Sequence, residues 1–346
     1  MENFKSGFVA VIGKTNVGKS SIINRLVGEK VSAIANKPQT TRTRIKGIVN
    51  RPNSQIIFLD TPGLHKSKSK LGNVMVENAI ASIPEADIVL YVIDASEYKN
   101  INNLSKNGEN KESKILENAQ SQEDNEILED TQNQENKTQK VLAELKKEDQ
   151  KVIEKIKEAN KKTILIINKI DLVDKEKLAN IINLYKDLYD FKAIIPVSIK
   201  REKNVEDILT EIERNLSEGP AYYDTEEYTD QTLRQLAEET IREKALKLLQ
   251  DEVPHGILVE VNKMKSRKTK DMEKIYDIES TIFCLRESHK GIIIGKNGSM
   301  LKTIGTYARE DLEKMLDTKV NLKLWVKVKK DWINDMSIVK KFKAEE

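Results

Sequence analysis

The sequence predicts an α/β fold, a mostly parallel sheet with helices on both faces, followed by a smaller α+β module. Three observations carry this. From Phe4 to about Ser217 apolar runs alternate with helical segments, the rhythm of strand, crossover helix and parallel strand. A Gly-rich turn, Gly13 to Ser20, joins the first run to the first helical segment. After Gln231 the alternation stops, and a helix, two strands, a Gly-x-x-Gly turn between helical segments and a last strand follow. A chain of 346 residues can bury two separate cores. The expected division is 4–218 for the α/β domain, 219–230 for a linker, 231–330 for the α+β domain and 331–346 for a tail.

The strands expected are Phe8 to Ile12, Ile45 to Val49, Gln55 to Asp60, Ile88 to Asp94, Thr163 to Asn168 and Ala193 to Pro196. Several end in polar residues, where open parallel sheets bind ligands. Between Glu97 and about Lys140 the composition turns to Asn, Gln, Glu, Ser and Lys, too polar to offset its ordering entropy. The segment 97–140 is therefore expected to be a disordered insertion, with a partner-binding arm as the alternative. Periodicity returns at Leu142, Leu145, Val152, Ile153 and Ile156, one face of a helix. Gly219 to Glu227 breaks the rhythm, and Thr229 or Asp230 is expected to cap a helix from Gln231 to about Glu252. Strands Gly256 to Asn262 and Ile275 to Leu285 are joined by the basic stretch Lys263 to Lys270, read as a solvated hairpin or a ribosomal or membrane-surface contact. A helix from Ser299 to about Leu316 and a strand from Val320 to Val328 complete the order.

Gly13, Lys14, Thr15, Asn16, Val17, Gly18, Lys19 and Ser20, continuing into Ser21, follow an apolar strand and open a helix. In that context the loop's N–H groups and the helix N-terminus cradle phosphates. Lys19 would reach the β and γ phosphates, and the Ser20 hydroxyl would hold Mg2+. Asp60, Thr61, Pro62 and Gly63 end the third strand; Asp60 would hold Mg2+ through water, and the Gly63 N–H would sense a γ-phosphate. Asn168, Lys169 and Asp171 select the base: a carboxylate at Asp171 accepts from two adjacent guanine donors that adenine lacks, so the nucleotide is GTP. The Lys169 stem would cover the base plane, and Ser198 with Ile199 would brace it. Thr41 is the candidate for a second, triphosphate-dependent hydroxyl on Mg2+, with Thr40 as competitor.

These stretches, with Gln39 to Arg44, Asp60 to His65, Gly219 to Tyr223, Gly295 to Arg309 and Leu324 to Val328, resemble the Era family of bacterial ribosome-associated GTPases, over about Phe4 to Phe342 apart from the insertion. Ile199 departs from the alanine common in that family. The resemblance implies a P-loop GTPase domain followed by a type II KH domain, with GTP hydrolysed to GDP and phosphate. Lys19, Thr41, Gly63 and Asn16 would serve that reaction. Leu64 stands where Ras-type GTPases place a water-positioning glutamine, and Asn16 is the candidate ligand for K+, which would supply positive charge in the transition state. It also implies RNA binding through Ile294, Gly295, Lys296, Asn297, Gly298, Lys302 and Arg309. Ile292, Ile293, Ile294, Leu301 and Ile304 would form an apolar groove for bases, and Lys290, Lys296, Lys302 and Arg309 would sit near phosphates. The partner implied is the 3′ end of 16S rRNA in the 30S subunit. Rival readings are a nucleotide-sensing RNA chaperone with negligible hydrolysis and a membrane-associated signalling GTPase.

Charge supports the division of labour. Residues from Gln231 onward carry 24 Lys and Arg against 19 Asp and Glu, a slight basic lean suited to nucleic acid. The single cysteine, Cys284, excludes an internal disulfide framework and is read as a buried thiol. Trp325 is read as core, and the scattered His65, His255 and His289 as unsuited to a metal site. No apolar run reaches spanning length, so the chain is expected to be cytoplasmic, with weak peripheral association at the inner face of the cell membrane as the alternative. No stable oligomer is expected.

Overall fold

The computed structural model describes residues 4–35, 37, 40–65, 67–98, 147–268 and 272–343. The insertion beyond Tyr98, Leu142, Leu145, Gln39 and Lys270 lie outside the described residues.

The first domain runs β1 (Lys5–Ile12), α1 (Lys19–Val27), β2 (Ile45–Arg51), β3 (Ser54–Asp60), α2 (Lys70–Glu85), β4 (Ile88–Asp94), α3 (Lys147–Ala159), β5 (Lys162–Asn168), α4 (Lys175–Lys186), β6 (Ala193–Pro196) and α5 (Val205–Asn215). Its sheet has the order β2-β3-β1-β4-β5-β6. Strands β1, β3, β4, β5 and β6 are parallel, whereas β2 pairs antiparallel with β3. The reason is that only Pro52 and Asn53 separate β2 from β3, too few residues for a crossover helix. Strands β3 and β4 are buried along their whole length, as a sheet covered on both faces requires. One apolar layer packs α1 and α5 against the sheet, and the other packs α3 and α4.

The segment expected as a linker also seals the edge of this sheet. Tyr222 and Tyr223 donate their N–H groups to Gln55 Oε1, and the Ile48 N–H donates to Tyr228 O at 2.9 Å. Thr229 Oγ1 donates to Lys46 O at 2.8 Å, so Thr229 is spent on β2 rather than on a helix cap. Covering β2 removes an edge strand that could otherwise pair with another chain.

The next helix, α6 (Leu233–Leu248), is capped by Thr232 and not by Thr229 or Asp230; Thr232 and Gln235 form a reciprocal capping box. The second domain continues β7 (Leu258–Lys268), β8 (Lys274–Cys284), α7 (Glu287–Ile294), α8 (Ser299–Leu316) and β9 (Lys319–Val328). Strand β8 lies between antiparallel β7 and parallel β9. Helices α6, α7 and α8 cover one face, burying Ile241, Ile282, Cys284, Ile293 and Ile304. The basic residues Lys263, Lys265, Arg267 and Lys268 lie within β7, not in a loop, and Arg267 pairs with Asp277 at 2.6 Å. Trp325, expected in the core, is 43% exposed on the outer face of β9, because its register puts Leu324 and Val326 on the helix side.

The buried tryptophan is Trp332, beyond the last strand. Its indole donates to Gly256 O at 2.9 Å, and it packs among Leu71, Val74 and Met75 of α2 together with Ile338 and Val339. The segment expected as a tail is therefore folded over its described residues, with α9 (Met336–Val339) resting on the first domain. Burying an indole of this size contributes about 2–3 kcal/mol.

Candidate GTP and RNA sites

The loop after β1 has a left-handed Asn16 and then Gly18 at φ 103°, from which α1 begins. The Lys19 ammonium is buried and donates to Lys14 O at 2.8 Å and Gly13 O at 3.2 Å. Burial lowers its pKa to about 8, against the opposing pull of Asp60. Lys14 points away from this centre to the buried Asp149, which also accepts from the Tyr91 hydroxyl at 2.9 Å.

Three oxygens from three elements converge beside Lys19. Ser20 Oγ donates to Asp60 Oδ2 at 2.7 Å, and Thr41 Oγ1 lies 2.9 Å from Ser20 Oγ and 3.4 Å from Asp60 Oδ2. Asp60 is fully buried, and burial raises its pKa despite the hydrogen bonds and Lys19 that oppose the shift. Its second oxygen, Oδ1, has no hydrogen-bond partner among the described residues. A buried carboxylate with an orphaned oxygen beside two hydroxyls fits a hard divalent cation. Thr40 does not join this cluster: its hydroxyl donates to Lys37 O at 2.7 Å.

Gly63 packs its backbone directly against the loop at Thr15. A Cβ there would stand 2.6 Å from Thr15 Cα and 2.8 Å from Thr15 N, so no larger residue fits without moving backbone. The next residue, Leu64, donates its N–H to Gly13 O at 3.0 Å, and its side chain packs against the α3–α4 core. Thr61 is buried, with its hydroxyl on Val11 O at 2.7 Å, and thereby locks the start of this turn to β1.

At the end of β5, Asn168 is buried and donates to Val17 O at 2.8 Å, tying β5 to the phosphate-type loop. Lys169, at φ 62°, sends its ammonium to Asn16 O at 2.8 Å and Asp94 Oδ2 at 2.5 Å. Asp171 is exposed rather than buried, and Ser198 Oγ donates to its Oδ1 at 2.6 Å. Ile199 packs against the core under β6. Sequence reasoning missed Asp94 and Asp149. Asp94 had a readable signal, as a polar end to an apolar strand; Asp149 had none, being one acid among many at the rim of the insertion.

In the second domain the Gly-x-x-Gly turn separates α7 from α8, with Gly295, Asn297 and Gly298 all at positive φ. Lys296, Asn297, Lys302 and Arg309 are exposed and Ile294 is half-buried. The expected apolar groove is narrower than Ile292, Ile293, Ile294, Leu301 and Ile304 together, because Ile293 and Ile304 are fully buried in the core. Ile292 and Tyr307 stand 50% and 47% exposed on the same two helices.

A cradle of this form beside a carboxylate braced for guanine, joined to a helix–turn–helix Gly-x-x-Gly module, defines a P-loop GTP-binding protein with a KH domain. Comparison with known proteins agrees. The family described as 50S ribosome-binding GTPase matches residues 8–169, and the KH domain family matches residues 252–333. GTPase Era of Clostridium kluyveri is 41% identical over 97% of this chain and 98% of its own length; that of Clostridioides difficile is 41% identical over 98% of each. Among solved structures, Era in complex with MgGDPNP and nucleotides 1506–1542 of 16S ribosomal RNA superposes with a TM-score of 0.80 at 36% identity, covering 98% of both chains. A variant of Aquifex aeolicus Era bound to GDP.AlF4- gives 0.77 at 35% identity, covering 98% of this chain and 99% of that one. The chain belongs to the Era family of GTPases, and it hydrolyses GTP to GDP and phosphate.

Proposed function

We propose that this GTPase binds the 3′ end of 16S rRNA through its KH domain in the triphosphate state and acts in maturation of the 30S subunit. The observation that carries the reading is the position of Thr41. Its hydroxyl joins Ser20 and Asp60, while the residues beside it are held by the second domain. GTP with Mg2+ would fix Thr41 and Gly63, and hydrolysis would free both. Ser20, Thr41 and Asp60 would hold Mg2+, which supplies charge neutralisation at the transferring phosphoryl group. Gly13 to Ser21 with Lys19 would carry the phosphates, and Asn168, Lys169, Asp171, Ser198 and Ile199 the base.

The likeness to an Era bound to nucleotides 1506–1542 of 16S rRNA supports the choice of RNA. Lys296, Asn297, Lys302 and Arg309, exposed around the Gly-x-x-Gly turn, suit a single-stranded backbone. Crosslinking in cells followed by sequencing of the bound RNA is expected to recover the small-subunit 3′ end, and reads that avoid it would remove the maturation role.

Leu64 faces the core and offers no group to orient water, so the transition-state charge must come from elsewhere. We assign that part to K+ at Asn16, which is exposed at the rim of the cradle. Replacing Na+ by K+ should raise phosphate release by about tenfold, the scale of one added charge contact; equal rates in both salts would exclude it. A membrane-surface role draws no support from the basic hairpin, where Lys263 and Arg267 are engaged by Glu279 and Asp277. Among the described residues no helix is long and apolar enough to cross a membrane.

A further inference from the structure

The chain that carries Thr41 is gripped at both ends by the second domain. Arg242 and Glu243 are consecutive residues of α6, and only 2% and 1% of each is exposed. Glu243 Oε2 accepts the Ile34 N–H at 3.1 Å and pairs with Lys30 Nζ at 3.1 Å. The Arg242 guanidinium donates to Thr40 O. On the far side of Thr41, Arg42 donates to Ile257 O at 2.5 Å and His255 O at 3.1 Å, with its guanidinium 5.3 Å over the ring of Trp332. Each domain thus sends a buried arginine into a backbone carbonyl of the other, and the metal-site hydroxyl lies between them.

This junction is not built for stability. Two buried guanidiniums share the neighbourhood of one carboxylate, Glu239, and Arg42 Nε and Arg242 Nη1 have no hydrogen-bond partner among the described residues. Burial, and then the nearby Arg242, push the Arg42 guanidinium down to about 9. Buried like charges with unfilled donors cost stability, and such groups can serve to specify a geometry. The geometry they bear on is that of the described residues on either side of Thr41, at Lys30, Ile34, Thr40 and Arg42.

We propose that Arg242 and Glu243 of the KH domain are positioning residues of the nucleotide site, holding the 30–42 segment so that Thr41 reaches the metal only while the KH domain is docked. This rests on the reading of Thr41 as the triphosphate-dependent ligand. Neither residue lines the cradle, whereas Ile34 and Thr40 both do; Glu243 and Arg242 act through the backbone N–H of Ile34 and the backbone carbonyl of Thr40. The docked KH domain and the triphosphate state then stabilise one another, and the coupling is reciprocal.

The test uses the full chain without RNA, comparing affinity for a non-hydrolysable GTP analogue and for GDP in Mg2+. Arg242→Ala and Glu243→Gln should each weaken the analogue by about tenfold, the worth of one charge-assisted hydrogen bond, and shift GDP by less than about twofold. In a Thr41→Ala background the same substitutions should add less than about twofold, because the group they position is gone. Glu243→Gln keeps the side chain's volume but replaces the charged acceptor shared by Ile34 N–H and Lys30 with a neutral amide, so it carries the test where Arg242→Ala does not fold. Equal losses for both nucleotides in Glu243→Gln, no loss for either, or full additivity with Thr41→Ala would each overturn the proposal. Thr41→Ala that by itself leaves analogue affinity unchanged would remove the switch assignment beneath it, a failure visible before any α6 variant is made.

Discussion

Asp171→Asn is expected to lower affinity for GDP and GTP by at least about 100-fold and to create affinity for the xanthine nucleotides. A carboxylate opposite guanine accepts from the ring N–H and the exocyclic amine together, and each charge-assisted bond is worth about 1.5–3 kcal/mol. An amide keeps one acceptor and presents one donor, which faces the guanine amine unfavourably but matches the carbonyl that xanthine has in its place. Ser198 makes the result sharper, because its hydroxyl already holds Asp171 Oδ1 at 2.6 Å and keeps the side chain from swinging away. Competition against a fluorescent GDP measures both halves. An affinity for GDP within about threefold of wild type would contradict two full-strength contacts to the base.

Gly63→Ala carries the second large effect, on hydrolysis rather than on base recognition. The added methyl would sit 2.6 Å from Thr15 Cα and 2.7 Å from Thr15 Cγ2, and the first of these is backbone that cannot rotate aside. Relief requires the turn after β3 to lift off the loop, which carries with it the Gly63 N–H and the Leu64 N–H bonded to Gly13 O. Overpacking of this kind costs about 1–3 kcal/mol where it is tolerated, and a donor displaced by an ångström is lost to the transition state. Single-turnover phosphate release should fall by at least about 100-fold, the scale of one lost transition-state donor. GDP affinity should change by less than about tenfold, since the residues proposed to contact the base lie at and after the ends of β5 and β6, away from the clash. Normal phosphate release would mean that Gly63 is a turn residue and nothing more.

The parts of this molecule that were legible in the sequence are those fixed by local chemistry. The apolar runs of β1, β3, β4 and β5 admit one reading, and the spacing of Gly13, Gly18, Lys19 and Ser20 needs a strand before it and a helix after it. The helix from Ser299 to Leu316 was found to the residue because Gly298 marks its start and its stripe is regular. What was misread depends on neighbours that the chain does not announce. Trp325, expected in the core, is exposed, and Trp332 is buried instead: alternation along β9 cannot say which face meets helices, and Trp332 finds its pocket on α2, more than 250 residues earlier. Thr229 looked like a helix cap and is instead occupied by Lys46 on the sheet edge.

The sequence marks Ser20, Thr41 and Asp60, which the structure brings together, because phosphate, magnesium and guanine each demand a particular donor set. The choice between Thr40 and Thr41 stayed open in sequence, since both are hydroxyls one residue apart, and their different placements follow from tertiary contacts. Arg42, Arg242 and Glu243 carried no signal at all. A charged residue within a helix or a polar loop reads as solvated surface, and only the contact between the domains turns these three into a buried junction.

The central claim is that the triphosphate state presents the KH domain to the 3′ end of 16S rRNA. The measurement that tests it most directly is crosslinking and sequencing of RNA bound to the full-length protein, loaded in parallel with a non-hydrolysable GTP analogue and with GDP. The account predicts small-subunit 3′-end reads enriched by about tenfold in the analogue sample, the span of an ordinary coupling free energy. Equal recovery with the two nucleotides would contradict it.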